Sequence, residues 1–236
     1  MNSLIYLPQC SSTQDEIIDF INSNHLEEDF IAVYTFNQTN GRGQYGNIWE
    51  NYPNENLAYS FAIKTKNISC SDILFNYYTA ILVRDFIANL TKTEVKIKWP
   101  NDLILKNKKI CGMLFEKKGD FLIGGIGINI LQEDFEKLPK AGSIFTQTQL
   151  KFEAKEFANS FHHYLFENLT KKAIPENVLN IYHQNLYKKE EIAVFEKDET
   201  RQNGIIKFTD ENGCLWIELE REGLQKFFHK EIELLY

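Results

Sequence analysis

The stretch of sequence that decides the fold is residues 95–130, VKIKWPNDLILKNKKICGMLFEKKGDFLIGGIGINI. Runs of β-branched and other apolar residues within it predict three closely spaced strands, at 95–99, 110–116 and 121–130. The lysine-rich segment 106–109 predicts a turn before the second strand. These strands make residues 95–130 a β-rich centre of the chain.

On both sides of this centre, apolar patterning predicts further strands and helices. Two more strands are predicted at 31–36 and 57–63. Helical spacing predicts three helices: one opening at a Thr13–Glu16 capping box, one over 72–90, and one over 153–186 with a break at Pro175. This order predicts a mixed α+β domain.

After about residue 186 the pattern changes to short strands joined by turns. Asn212–Gly213 suits a tight hairpin. The strands are predicted at 191–195, 204–209, 214–219 and 231–235. We therefore predict two domains, an α+β domain over residues 1–186 and a small β-barrel over residues 187–236.

Composition and charge exclude several classes of protein. With 236 residues, 43% of them hydrophobic and 14% aromatic, the chain has enough apolar material for a packed core, so disorder is not expected. No apolar run reaches the roughly 18 residues that a membrane-spanning helix needs, and no secretory signal is visible. A net charge of −7 argues against general nucleic-acid binding.

Cysteine spacing indicates the redox compartment. The four cysteines fit neither a zinc site nor a disulfide framework, and this favours a reducing compartment. They are Cys10, Cys70, Cys111 and Cys214. A cytoplasmic protein is therefore predicted.

The first candidate site is residues 41–46, GRGQYG, between two predicted strands. Three glycines in six residues let backbone N–H groups turn toward an anion, and Arg42 adds a fixed positive charge. A flexible hairpin loop is the alternative interpretation. A Walker loop does not fit because no Gly-Lys-Ser/Thr follows, and a Rossmann fingerprint does not fit because no helical pattern follows the glycines.

The second candidate site is residues 98–102, KWPND. Strand alternation places Lys98 at the end of its strand, where Pro100 stops ladder pairing. A lysine there can reach a phosphate or a carboxylate as a point charge, while Asn101 and Asp102 suit Mg²⁺ or ribose. A surface lysine followed by an ordinary turn is the alternative.

The third candidate site is residues 124–129, GGIGIN. Glycine weakens a strand interior, so three glycines here indicate that a ligand or another backbone comes close. A bulged or sharply twisted strand would explain the same pattern.

Taken together, GRGQYG, KWPNDLILKNKKICGMLFE and GGIGIN, in this order and with these gaps, resemble the biotin protein ligase family. The resemblance is dense from Ser11 to about Asn129 and weak beyond. It implies an α+β catalytic domain similar to class II aminoacyl-tRNA synthetases, with a mixed β-sheet flanked by helices, followed by a small SH3-like β-barrel. Since the ligand segment begins at Ser11, the form without an N-terminal DNA-binding domain is expected, and direct DNA binding is not.

The resemblance implies an ATP-dependent ligase. Such an enzyme forms biotinyl-5′-adenylate from biotin and ATP, with Mg²⁺, and transfers biotin to a lysine of a biotin carboxyl carrier protein, part of acetyl-CoA carboxylase or another carboxylase. Two anions must meet in the first step, so cations are the main requirement. Arg42 and Lys98 are the expected catalytic pair, converging on the biotin carboxylate and the α-phosphate.

The family pattern also carries over to binding residues. Those expected to bind biotin are Ser12, Thr13, Gln14, Gln38, Arg42, Gly43, Gln44, Ser60, Lys98, Gly125 and Gly127. Those expected to bind ATP or the adenylate are Arg42, Gln44, Trp49, Asn101, Lys109 and Asn129. Asp102 is the candidate for Mg²⁺, which it would hold through the phosphates.

One position departs from the family pattern. Gln44 stands where an arginine is common in the family, and fewer cations should weaken the hold of the loop on the adenylate phosphate. We therefore expect faster escape of biotinyl-adenylate.

Two other functions remain open at this point. A lipoate or octanoyl ligase has the same fold, but it usually carries an Arg-Arg…Gly-Gly-Gly loop that is absent here. A non-catalytic biotin or adenylate sensor is disfavoured because Arg42 and Lys98 are both present. No membrane partner is expected, and the sequence leaves the oligomeric state open, including a homodimer.

Overall fold

The computed structural model describes residues 3–23, 29–50, 52–171 and 174–236. The strands are β1 (Ser3–Tyr6), β2 (Phe30–Thr35), β3 (Gly41–Arg42), β4 (Ile48–Trp49), β5 (Asn56–Lys64), β6 (Val95–Lys98), β7 (Asp102–Leu105), β8 (Lys108–Lys118), β9 (Phe121–Asn129), β10 (Ile192–Lys197), β11 (Thr200–Thr209), β12 (Leu215–Leu219), β13 (Gly223–Phe227) and β14 (Glu233–Leu235). The helices are α1 (Thr13–Ser23), α2 (Asp72–Thr91), α3 (Ile144–Thr148), α4 (Ala154–Leu169) and α5 (Val178–Gln184).

A seven-stranded mixed sheet forms the larger part of the molecule. Its strand order is β1-β2-β5-β9-β8-β7-β6, with β1 parallel to β2 and every other pair antiparallel. β2 and β5 are buried along almost their whole length, because layers cover both faces of these strands. The predicted mixed sheet flanked by helices is confirmed.

The two faces of this sheet are covered unequally. On one face, large side chains such as Tyr59 and Phe61 join α2, α4 and α5 in the main hydrophobic core. On the other face, α1 packs through Ile17 on Val33, Ala62 and Ile123. Because α1 is one short helix, it covers only one end of its face and leaves the middle of the sheet accessible.

The C-terminal residues form a second sheet, which is antiparallel and five-stranded in the order β13-β12-β11-β10-β14. Its contacts with the larger part include hydrogen bonds of His183 and Trp99, and its buried apolar residues belong to the same main core. His183 Nε2 lies 2.6 Å from Thr209 O, and Trp99 Nε1 donates to Gly213 O at 3.1 Å. The small β-rich unit and the hairpin at Asn212–Gly213 follow the sequence, whereas the SH3-like barrel and the boundary at residue 186 stay predictions.

Several elements differ from the sequence-based expectations. Thr13 is the first residue of α1 rather than a capping residue, because its hydroxyl bonds to side chains of the sheet and the neighbouring loop. The helical region predicted over 153–186 forms α4 and α5, and the break predicted at Pro175 is confirmed because this residue lies between them. The elements not predicted are β1, the short β3–β4 hairpin, β7, α3 and β13. No helix in the described ranges has the length and apolarity to cross a membrane.

A buried histidine makes the stability of the fold dependent on pH. His162 on α4 bonds to the Tyr59 hydroxyl at 2.9 Å, and burial lowers the pKa of His162 from 6.5 to about 4. Between pH 6.5 and 4, His162 is therefore protonated in the unfolded chain and neutral in the folded chain. As pH falls from 6.5 toward 4, the free energy of unfolding should drop by about 3 kcal/mol from this group.

Urea unfolding at several pH values tests this expectation. His162→Gln keeps an acceptor for Tyr59 but removes the titration, so its stability should fall less than that of the wild type between pH 6.5 and 4. Parallel pH profiles for the two proteins would contradict the assignment.

Candidate active site

Small residues on three adjacent strands form the floor of a cavity on the uncovered part of the sheet. Ala58, Gly127 and Gly112 lie side by side on β5, β9 and β8, and Ser60 is paired with Gly125 two residues further along. The cavity above them measures about 150 Å³ and includes Thr13, Gln38, Arg42 and Lys109 in its lining. We call it the first cavity. The space above these strands is open because the residues on the floor have small side chains or none.

A chain of hydrogen bonds lines the end of the first cavity nearest α1. Gln38 Oε1 accepts from the Thr13 backbone N–H at 2.8 Å and lies 3.2 Å from the Thr13 hydroxyl. The Ser60 hydroxyl donates to Thr13 Oγ1 at 2.8 Å, and Gln14 Nε2 donates to Glu116 at 3.0 Å. A Cβ at Gly125 would overlap the Gln14 carboxamide. This end is therefore buried, polar and preorganised.

Arg42 is paired with carboxylates at the rim of the first cavity. Its guanidinium lies 2.6 Å from Asp15 on α1 and 3.6 Å from Glu116 on β8. The β3–β4 hairpin carries Arg42, and Gln44 from the same hairpin also lines the cavity. Neither Asp15 nor Glu116 was identified from the sequence, since an acidic residue on a helix or strand surface carries no motif.

Trp49, on β4, lies directly on the glycine floor. A Cβ at Gly127 would fall 2.6 Å from its indole Nε1, and a Cβ at Gly112 would fall 3.0 Å from its Cζ3. The indole Nε1 is buried without a hydrogen-bond partner among the described residues. Glycine at these two positions is what allows the ring to rest on the sheet.

A second cavity, of about 430 Å³, adjoins the first. Apolar side chains, among them Phe135 and Leu138, line part of it. Four lysines also line it: Lys98, Lys109, Lys137 and Lys140. Ile48, Trp49, Asp102 and Lys109 border both cavities, so these residues stand at the junction. The segment 132–141 that closes the second cavity was not identified from the sequence.

The expected convergence of Arg42 and Lys98 is not present in this structure. Lys98 lines the second cavity and not the first, and its Nζ lies 5.0 Å from the centre of the Tyr236 ring. Burial lowers the pKa of Lys98, and the Lys109 and Lys140 ammonium groups lower it further against an opposing effect of Asp102. Strand alternation located Lys98 on a face of β6, but it could not tell which cavity that face meets.

Lys109 is the cation that the fold places at the junction. It forms an ion pair with Asp102 at 2.8 Å, and its Nζ lies 5.8 Å from the centre of the Trp49 ring. The pairing of β7 with β8 shifts register here, so Ile110 is an extra residue on β8. Such a bulge re-aims side chains. Lys109 accordingly lies beside Gly112, 3.3 Å from the position of a Cβ there.

The remaining predicted residues fall into two groups. Ser12, Gly43 and Asn101 line the first cavity, and Asn129 lines the second. The carboxamides of Asn101 and Asn129 donate to the backbone oxygens of Met113 and Gly142, so both position loops. The described residues contain no cluster of three His, Cys, Asp or Glu side chains suited to a metal, and Asp102 is already paired with Lys109.

The contact between Trp49 and the sheet can be tested by fluorescence. Gly127→Ala should push the indole off the floor, because the added methyl group overlaps it. We expect a red shift and stronger iodide quenching of the Trp49 emission, obtained as the difference from a Trp49→Phe counterpart. Gly43→Ala, on the same hairpin, is the control, since its Cβ meets Asn47 and not the indole. Unchanged emission in Gly127→Ala would rule out the contact.

Comparison with solved structures supports the same fold. The biotin protein ligase from Aquifex aeolicus in complex with biotin and ATP superposes with a TM-score of 0.81 at 24% identity, covering 100% of this chain and 99% of that chain. The biotin protein ligase from Leishmania major in complex with biotinyl-5-AMP gives a TM-score of 0.68 at 20% identity.

Sequence comparison identifies the family. The bifunctional ligase/repressor BirA of Escherichia coli is 30% identical over 140 residues, which are 57% of this chain and 43% of that protein. The biotin–[acetyl-CoA-carboxylase] ligase of Mycobacterium tuberculosis is 27% identical over 49% of this chain and 45% of its own length. The matched region thus spans less than half of these relatives. The model of the biotin/lipoate A/B protein ligase family matches residues 6–131, and the chain therefore belongs to that family.

Proposed function

We propose that the protein is an ATP-dependent biotin protein ligase. It would form biotinyl-5′-adenylate from biotin and ATP, then transfer biotin to a lysine of a biotin carboxyl carrier protein. The observation that carries this proposal is a pair of adjoining cavities that share Trp49, Asp102 and Lys109. The first is polar at the end nearest α1, and the second is lined by apolar side chains and lysines. An acid and a nucleotide bound in the two cavities would meet at Lys109.

The first cavity suits biotin. The ureido ring of biotin needs hydrogen-bonding partners, and the end of the first cavity nearest α1 offers Ser12, Thr13, Gln38 and Ser60. The apolar bicycle needs a close wall, and Gly125 with its neighbours on the floor supplies one. The valerate carboxylate would then point along the floor toward the junction.

The second cavity suits the nucleotide. Apolar side chains with Trp49 would receive the adenine, while the lysines would receive the phosphates. Mg²⁺ enters as part of the Mg–ATP substrate, held by the phosphates, because Asp102 is engaged by Lys109. Lys109 would bring the carboxylate and the α-phosphate together, with Arg42 as the second cation once the ligand anion replaces Asp15 and Glu116.

Lys98 takes a different role from the one first expected. Its ammonium group lies in the second cavity among other lysines, so it would stabilise the polyphosphate rather than the reacting carboxylate. The mycobacterial relative is named as a ligase for acetyl-CoA carboxylase, which supports a carboxylase carrier domain as the partner. The cytoplasm, where ATP and carboxylases occur together, is the proposed location.

One experiment decides between biotin and lipoate ligation. The protein is incubated with Mg–ATP, an unmodified biotin carrier domain and either biotin or lipoate. The mass of the carrier domain is then measured by mass spectrometry. We expect the mass of one biotin to be added and no addition from lipoate. Exchange of pyrophosphate into ATP without carrier labelling would instead indicate a protein that makes the adenylate and does not transfer it.

Lysine substitutions test the assignment of the junction. Lys109→Ala should lower biotin-dependent ATP–pyrophosphate exchange by roughly two to three orders of magnitude, the scale for removing one main charge stabiliser. Lys98→Ala should act chiefly on the KM for ATP. Lys106→Ala is the control, because this exposed lysine bonds to Gln147 O outside the site. A larger loss in Lys98→Ala than in Lys109→Ala would restore the first assignment.

The hairpin residue Gln44 should set the lifetime of the adenylate. Gln44 Oε1 is buried in the first cavity without a partner among the described residues, and it offers no positive charge to a phosphate. Gln44→Arg should slow release of biotinyl-adenylate about tenfold, equivalent to ~1.4 kcal/mol. Stopped-flow displacement by excess biotin measures the rate. Gln44→Met, which matches the length without charge, should leave it near the wild-type value.

A further inference from the structure

The transfer step needs a proton acceptor, and no residue has been assigned that role so far. A carrier lysine arrives as an ammonium ion at neutral pH, and the ion must lose a proton before its nitrogen can attack. Four titratable side chains line the first cavity in the described part of the chain: Arg42, Asp102, Lys109 and His229. Arg42 and Lys109 are cations, and Asp102 is paired with Lys109. His229 contributes the one imidazole among these four side chains.

His229 lies between β13 and β14 of the second sheet and reaches the reaction region from outside the larger sheet. It lines the first cavity and also a third cavity of about 390 Å³, whose lining includes Lys98 and Trp99. Its ring stands edge-on to the Trp99 indole, 5.7 Å between centres at 89°. Trp99 is itself fixed by its hydrogen bond to Gly213 O. The imidazole is therefore held in a defined orientation at the rim of the first cavity.

The surroundings of His229 keep its imidazole neutral. Burial lowers the pKa of His229, and the ammonium groups of Lys230, Lys98 and Lys109 lower it further, whereas Asp102 opposes them. Lys98 lies on β6, Lys109 on β8 and Lys230 in the same segment as His229, so the positive field does not come from one loop alone. A lowered pKa favours the neutral imidazole, which is the form that acts as a base.

We propose that His229 is the general base of the transfer step, an inference that rests on the proposed ligase function. The imidazole takes one proton from the ε-ammonium of the carrier lysine. The amine nitrogen attacks the acyl carbon of the mixed anhydride, a C–N bond forms, and the C–O bond to the phosphate breaks with AMP as the leaving group. The amide nitrogen loses its second proton to solvent, and the imidazolium returns its proton to solvent.

The test separates the two half-reactions. His229→Gln keeps the side-chain polarity but cannot take up a proton at pH 7. Biotin-dependent ATP–pyrophosphate exchange should stay within about twofold of the wild type, which also verifies folding. Single-turnover transfer from preformed adenylate to a carrier domain should fall roughly 100-fold at pH 7. His163→Gln, an exposed histidine on α4, is the matched control and should leave both rates unchanged.

The pH profile distinguishes a base from a merely structural residue. Wild-type transfer should be level across the neutral pH range, because a lowered pKa leaves the imidazole neutral there. Transfer by His229→Gln should rise about tenfold per pH unit with the fraction of free amine, so the deficit shrinks toward pH 9. A wild-type rate in the variant, a deficit that does not change with pH, or an equal loss of exchange would overturn the proposal. Absence of exchange in the wild type would instead overturn the ligase function.

Discussion

The site depends on the absence of side chains from one patch of the large sheet. Gly112, Gly125 and Gly127 lie on two adjacent strands and are flanked by Ala58 and Ser60 on the third. Any Cβ at Gly127 would meet the Trp49 indole, and any Cβ at Gly125 would meet the Gln14 carboxamide. The patch stays open because α1 covers only the neighbouring end of that face. Larger residues here would fill both the floor and the contacts above it.

The cations around this floor are held in ion pairs with carboxylates, and a bound anion can take the place of the carboxylate. Arg42 is held by Asp15 and Glu116 at the rim, and Lys109 is held by Asp102 at the junction. Each pair keeps a cation in place without a ligand, and an incoming anion competes with the carboxylate for it. Such pairs are partly exposed, so they contribute little to stability. Their role is positional.

The second sheet is part of the site rather than an attachment to it. The ring of Tyr236 lies within 5.1 Å of the Lys98 and Lys140 ammonium groups, and His229 reaches the first cavity. The hydrogen bond between Trp99 and Gly213 ties the two sheets together beside these residues. Cations that would otherwise repel one another are thereby held near one aromatic ring, which lowers the cost of gathering them.

The sequence by itself determined the strands of residues 95–130, the α+β order and the glycine positions. Strand periodicity and glycine in strand interiors are local signals, which hold whatever the neighbours are. Only the tertiary structure decided which lysine reaches the junction. A bulge at Ile110 re-aims Lys109, and alternation along β6 cannot reveal that Lys98 meets another cavity. Asp15, Glu116 and His229 join the site through contacts distant in sequence, which no local pattern records.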